Sequence, residues 1–329
     1  MSGQRRIAVV TDDAAALPQE WVFPPAGGTA GADVAGQDPE RTEGAADASS
    51  VLTDEDERAV ARSGRPGLAV AAMPVSVDDT DLDQDRDDWL AVVEEALAAG
   101  RSAVTSRPSP GQLLRQYRQL EAQGYEGIVS VHCSAQLSGS ATSARIASAA
   151  VGIPVEIVDS RTIAMAEGRG VMEAWEAAGT GADLAETAEA ARAGSAASQL
   201  LLWVPGLDAL RRGGRIPPSV AALGSMLQVR PVLRLVNGQL AIAELPMTEQ
   251  RARTRLLRRA GRALRDSTRD VPEVTVHHLL DDHGQERAEE FAAQLVAEHC
   301  PDARARCVPM PAVLAAHAGA GALSVIIRG

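Results

Sequence analysis

The stretch IVSVHCSAQLSGSATSARIASAA, residues 128–150, decides how this chain folds. Ile128, Val129 and Val131 make a short apolar run, Ser134, Ser138, Gly139 and Ser140 a small-residue turn, and an Ala-rich segment then reads as a helix. Strand, turn and helix in that order build an α/β sheet. Backbone N–H groups left unpaired at a helix N-terminus favour an anion, and small hydroxyl residues let one come close. Ser140 or Thr142 would serve equally well as a plain helix cap. The stretch alone leaves both readings open.

Upstream, Thr105-Ser106-Arg107-Pro108-Ser109-Pro110-Gly111 leads into a helix whose Leu113, Leu114, Tyr117 and Leu120 share one face. Together with the first stretch this makes a βα-βα run that brings two hydroxyl-bearing strand ends together. Ile7–Val10 reads as a buried strand ending in Thr11, Asp12 and Asp13; that polar end is either a site wall or the cap of a helix around Leu17. Residues 23–66, rich in Gly, Pro, Ala and acids, read as a flexible insertion with a short helix over 54–61. Leu68–Val77 is expected to be one strand interrupted by Pro74. The acidic run Asp78–Asp88 reads as a solvated face before a helix over 89–99.

Downstream, Val151–Val158 reads as a strand ending in Asp159-Ser160-Arg161-Thr162, where Ser160 either meets a ligand or caps the next helix. Helices follow over 163–178 and 183–193. A second domain is expected from Ser195, dividing the chain into 1–194 and 195–329. It holds a strand at 200–204, the cationic loop Arg211–Arg215 and a helix at 220–227. A hairpin follows, turning at Asn237-Gly238. The helix MTEQRARTRLLRRAGRALRD buries Leu256, Leu257, Ala260 and Leu264 and leaves its arginines outward. A strand at 274–280, a helix at 285–299 and strands at 304–308 and 323–327 complete the pattern. His277 and His278 fall on opposite faces of their strand, so a shared metal ion is not expected.

Composition narrows the function classes. All 32 basic residues are Arg, which removes Schiff-base and P-loop lysine chemistry. A net charge of -12 argues against a broad nucleic-acid or membrane-binding surface. Cys133, Cys300 and Cys307 show neither zinc nor disulfide spacing. The N-terminus lacks a signal peptide's apolar core and no apolar run is long enough to span a bilayer, so a cytoplasmic protein is expected.

Three segments with matching order and spacing, VTDD…LP, TSRPSPG and HCSAQLSGSATSA, give the chain a resemblance to the DegV family. IVDSRT, LDALRRGGRI and HAGAGALSV extend it over nearly the whole length, with residues 23–66 as the main unmatched block. The resemblance implies a two-domain α/β fold: a Rossmann-like parallel sheet with helices on both faces, and a smaller α/β C-terminal domain. It implies a non-catalytic protein that binds a long-chain fatty acid and presents its carboxylate to a separate fatty acid kinase. No cofactor, no nucleic acid and at most transient membrane contact are implied. The hydroxyls of Thr105 and Ser138 would hold the carboxylate, helped by Ser106, Gly139 and Ser160, with His317 nearby and no Arg at the head group. Arg215 and Arg251 would meet the partner. Where relatives carry Gly-Pro-Gly, this chain has Gly319-Ala320-Gly321.

Two other classes compete with that expectation. A lipid-ester hydrolase needs a nucleophile elbow, and GxSxG is absent around Ser138 and Ser140. A binder of a phosphorylated metabolite fits the same Ser/Gly turn and would carry no lipid. A dinucleotide enzyme is the weakest rival, because no GxGxxG follows the first strand.

Overall fold

The computed structural model describes residues 6–22, 65–82, 89–216, 229–279 and 283–329. The first half contains β1 (Ile7–Asp12), a 3-10 turn (Asp13–Ala15), α1 (Gln19–Val22), β2 (Leu68–Ala71), β3 (Val75–Val77), β4 (Thr80–Asp81) and α2 (Trp89–Ala98). It continues with β5 (Ala103–Thr105), α3 (Pro110–Ala122), β6 (Gly127–His132), α4 (Ser140–Ser148), β7 (Val155–Asp159), α5 (Met165–Gly179) and α6 (Leu184–Ala196). The second half contains β8 (Ser198–Trp203), α7 (Asp208–Arg212), β9 (Val232–Val236), β10 (Gln239–Glu244) and α8 (Glu249–Arg265). It closes with β11 (Glu273–His278), α9 (Gly284–His299), β12 (Arg304–Pro309), α10 (Ala312–Ala318) and β13 (Leu323–Arg328). The expected helices at 54–61 and 220–227, most of the 23–66 insertion and residues 83–88 of the acidic run lie outside the described residues.

Strands β2, β1, β6 and β7 lie side by side in that order, all parallel. Strands covered on both faces read as continuous apolar runs. Ile7 and Val9 of β1 accordingly face α5 and α6, meeting Val171, Ala174, Ala188 and Ala191, while Ala8 and Val10 face Leu113 and Tyr117 of α3 and Ala144 of α4. Helices thus cover both faces, as the resemblance implies. Asp183 opens α6 with a full capping box, and Ser109 caps α3 with Pro110 in its first turn.

The second sheet has six strands in the order β10-β9-β8-β13-β11-β12, antiparallel except for the β11–β12 pair. Alternation along β8 sends Leu201 and Trp203 to α8 and α9, and Leu200 and Leu202 to the opposite face. Asn237 and Gly238, with φ of 52° and 82°, form the two-residue hairpin turn between β9 and β10.

Two expectations need correction. Leu68–Val77 is not one interrupted strand: β2 belongs to the parallel sheet, and β3 to a separate three-stranded antiparallel sheet of order β4-β3-β5. Pro74 has no N–H to continue a ladder, so the chain changes sheets there, and the Pro74 carbonyl accepts from the Ser106 N–H at 2.9 Å. Thr105 therefore ends a strand of the small sheet, not of the parallel one. The second correction is α10, a helix over residues read only as the approach to His317.

Candidate functional site

A cavity of 380 Å³ lies where the carboxyl edge of the parallel sheet meets the free face of the six-stranded sheet. Residues that follow the ends of β1, β6 and β7 (Ala14, Cys133, Ala164) line it, as the rule for open α/β sheets anticipates. Most of its wall is aliphatic: Leu200 and Leu202 of β8, Leu240 of β10, and Met310, Val313 and Leu314 around α10. Thr105, Ser106, Arg107, Ser138, Gly139, Arg215 and His317 supply nearly all the polar lining.

These polar residues are tied to one another. Thr105 Oγ1 lies 2.8 Å from His317 Nε2. Ser138 Oγ lies 2.9 Å from Ser140 Oγ and accepts from the Ser140 N–H at 3.2 Å. The N-cap of α4 is Gly139, which offers no side-chain cap. Neither Ser140 nor Thr142 caps the helix, then; Ser138 takes one of its first N–H groups. Gly139 permits a close approach, since a Cβ there would meet the Arg107 side chain, with Nη1 only 2.3 Å away. Arg215 donates from Nε to the Leu137 carbonyl at 3.2 Å. The His317 ring packs on Gly213, where a Cβ would stand 2.4 Å from Nδ1. Burial, and then the charge of Arg215, push the His317 pKa down from 6.5 to about 4, so its imidazole is neutral at pH 7.

Neutral His317 fixes what the hydroxyls can do. When Nε2 carries the proton and donates to Thr105 Oγ1, the Thr105 hydroxyl keeps its own proton for a ligand oxygen. Likewise, a Ser140 hydroxyl that donates to Ser138 leaves the Ser138 proton free. Two hydroxyl donors, two nearby guanidiniums and the first turn of α4 make this end suited to one anionic group, with an apolar wall beyond it.

Thr105, Ser106, Ser138, Gly139 and His317 are thus brought to one place. Ser160 is not: its hydroxyl donates to the Thr162 carbonyl at 3.3 Å, and it opens on a neighbouring cleft. Arg215 lines the cavity, whereas Arg251 is exposed on α8, across the six-stranded sheet from it. Arg107 and Arg215 line the same polar end of the cavity, where the resemblance implied no Arg. Arg107 sits inside the TSRPSPG segment, among neighbours whose types signal a turn and give no sign of a cavity-lining role. His277 and His278 do face opposite sides: His277 lines the cavity and accepts from the Met165 N–H at 3.3 Å, while His278 lies beside Trp203 and Phe291.

Behind the cavity lies a buried polar network with no signal in the linear sequence. Tyr117 donates to Ser130 Oγ, which is 2.8 Å from His132 Nε2, and His132 Nδ1 is 2.8 Å from Asp12 Oδ2. The Ser-His-Asp order mimics a hydrolase relay. Ser130, His132 and Asp12 are fully buried, Ser130 does not line the cavity, and Tyr117 occupies its hydroxyl, so no substrate carbonyl reaches it. Asp12, Cys133 and Glu167 each offer a ligand atom within 4.8 Å of the others and could hold a metal. Burial first, and then the charge of Asp12, raise the pKa values of Cys133 and Glu167, which favours their protonated forms over metal-binding ones.

The chain is thus of the mixed α/β class that sets an apolar cavity with one polar end between a parallel and a largely antiparallel sheet. Within that class the chain belongs to the DegV family: the family model described as "uncharacterised protein, DegV family" matches residues 61–329. A DegV domain-containing protein of Streptomyces coelicolor is 32% identical over 280 residues, spanning 84% of this chain and 97% of its own. One from Mycobacterium tuberculosis is 34% identical over 229 residues, spanning 69% and 79%. Among solved structures, a fatty-acid-binding DegV family protein from Thermus thermophilus superposes with a TM-score of 0.73 at 23% identity, covering 98% of this chain and 99% of its own. A stearic-acid-binding protein from Eubacterium ventriosum does so with a TM-score of 0.74 at 19% identity, covering 98% of each chain. At these identities the superpositions establish the fold.

Proposed function

We propose that this protein binds a long-chain fatty acid, with the acyl chain along the aliphatic wall and the carboxylate between Thr105, Ser138, Gly139 and His317. The observation that carries the reading is the division of one cavity into an aliphatic wall and a linked polar end. An acyl chain of about 14 methylenes gains roughly 11 kcal/mol gross on burial, at about 0.8 kcal/mol each. A carboxylate buried without partners would cost several kcal/mol, which the hydroxyls and guanidiniums offset. Fatty-acid binding by the related structures supports the assignment. The protein carries no chemistry of its own in this reading; it presents the carboxylate to a separate fatty acid kinase, which Arg215 would meet at the cavity. It works in the cytoplasm, without a cofactor. Among the described residues no helix is long and apolar enough to cross a membrane.

Mass spectrometry of the organic extract from denatured, purified protein is the direct test. A stoichiometric fatty acid is expected. Protein that is empty as purified and takes up no fatty acid when offered one would refute the proposal, and uptake of a phosphorylated metabolite at the same cavity would replace it.

A further inference from the structure

A second and wider cleft, of 850 Å³, opens where the turn after β7 and the end of α6 meet β8, β9 and α8. Among the described residues five arginines line it, Arg161, Arg192, Arg234, Arg259 and Arg262, against only Asp159 and Asp266. In a chain of net charge -12 that concentration runs against the overall sign. We propose that this cleft binds a small ligand carrying clustered phosphate groups, at a site separate from the apolar cavity.

The charges in the cleft are not cancelled from within. Arg192 is held by Glu156 and Glu189. Among the described residues Glu244 is the one carboxylate shared by Arg255, Arg258 and Arg259. Burial acts to raise the Glu244 carboxyl, yet the hydrogen bonds and charges of those arginines pull it below its usual value, a sign of cationic excess. Arg262 reaches Asp266 only at 3.7 Å, with both side chains well exposed. The guanidinium groups of Arg161 and Arg234 have no carboxylate partner among the described residues: the Arg161 backbone N–H donates to Asp159 Oδ1 at 2.9 Å, while its guanidinium donates to the Asn237 side chain at 3.3 Å. Arg161 also adopts a φ of 56°, a conformation that costs a non-glycine residue stability and that fixes where its side chain leaves the chain.

The residue types fit phosphate better than other anions. A guanidinium meets a phosphate through two parallel hydrogen bonds, and clustered phosphates match several guanidiniums at once. Ser198, Gln199 and Asn237 line the same cleft and supply neutral donors. Among the described residues no aromatic side chain lines it, so a base or ring finds none of them to stack on.

Calorimetric titration of the full-length protein at low salt tests the proposal with pyrophosphate and tripolyphosphate as probes and polyglutamate as the comparison anion. Saturable tripolyphosphate binding is expected, weakening roughly tenfold or more in the Arg161→Ala, Arg234→Ala double variant. Arg234→Lys, which keeps the charge but loses the fork, should recover only part of it. Both positions are exposed, so the variants should keep the wild-type melting temperature and lipid content; the lipid readout reports on the apolar cavity independently. No saturable binding, equal binding by the double variant, or polyglutamate binding as tight as tripolyphosphate would each overturn the proposal.

Discussion

His277 makes the stability of this protein depend on pH in a calculable way. The side chain is fully buried, and its Nε2 accepts from the backbone N–H of Met165, the first residue of α5. Burial is the main cause that lowers its pKa from 6.5 to about 4. As pH falls below 6.5 the unfolded chain takes up a proton that the folded chain refuses until about pH 4. Stability is therefore full at neutral pH and is lost progressively through that window. At about 1.4 kcal/mol per pH unit the shift is worth roughly 3 kcal/mol. The variant His277→Gln keeps an acceptor for Met165 but cannot titrate. Urea unfolding at pH 7.5, 6, 5 and 4.5 should show wild type losing most of that amount relative to the variant, whatever the other groups contribute to both. Parallel pH profiles for the two proteins would refute the assignment of a buried neutral imidazole.

Four further outcomes follow from the site. Removing both hydroxyl donors in Thr105→Ala, Ser138→Ala should weaken fatty-acid binding by roughly ten- to a hundredfold, from about 1.5–3 kcal/mol per hydrogen bond to a charge with incomplete additivity; a displacement assay with a fluorescent fatty acid reads it, and unchanged affinity would remove these residues from the head group. Gly213→Ala is compatible with the local φ of -69° but drives a methyl into the His317 ring, so fatty-acid affinity should drop several-fold, with a modest fall in melting temperature as the imidazole is displaced. Leu202→Trp should fill the cavity and abolish lipid retention in mass spectra of purified protein. The pKa of Glu167 is raised, first by burial and then by Asp12, so its stabilising effect is complete below the unfolded value of 4.5 and is lost as pH rises; Glu167→Gln should raise the melting temperature at pH 8 and have little effect at pH 4.

The parallel sheet was legible because its strands are covered on both faces and stand as unbroken apolar runs before polar turns, as at Ile7–Asp12 and Gly127–His132. The hairpin at Asn237-Gly238 was legible from turn chemistry alone. The small antiparallel sheet was not: β3 and β5 have only three residues each, too few for periodicity to show, and only the Pro74 break hinted at the change of sheet. Helix α10 was hidden because its Ala-rich sequence carries no side-chain N-cap, and its start is set by Pro311. At the site, Thr105 and Ser138 could be singled out by type and company. Arg107 reaches the cavity by lying over Gly139, Arg215 through its bond to the Leu137 carbonyl, and the Tyr117–Ser130–His132–Asp12 network joins residues over 100 positions apart. Contacts of that kind exist only after folding.

The largest apolar cluster among the described residues runs from Ala14 and Cys133 at the parallel sheet's edge to Leu200, Leu233 and Ile326 in the second sheet, and the cavity is set inside it. An apolar guest there completes the interior that joins the two sheets. A ligand present at a hundredfold excess over its Kd adds about 2.7 kcal/mol to the folded state. Loaded chains would then outlast empty ones under proteolysis, and the lifetime of the protein would itself become a gauge of how much guest the cell supplies.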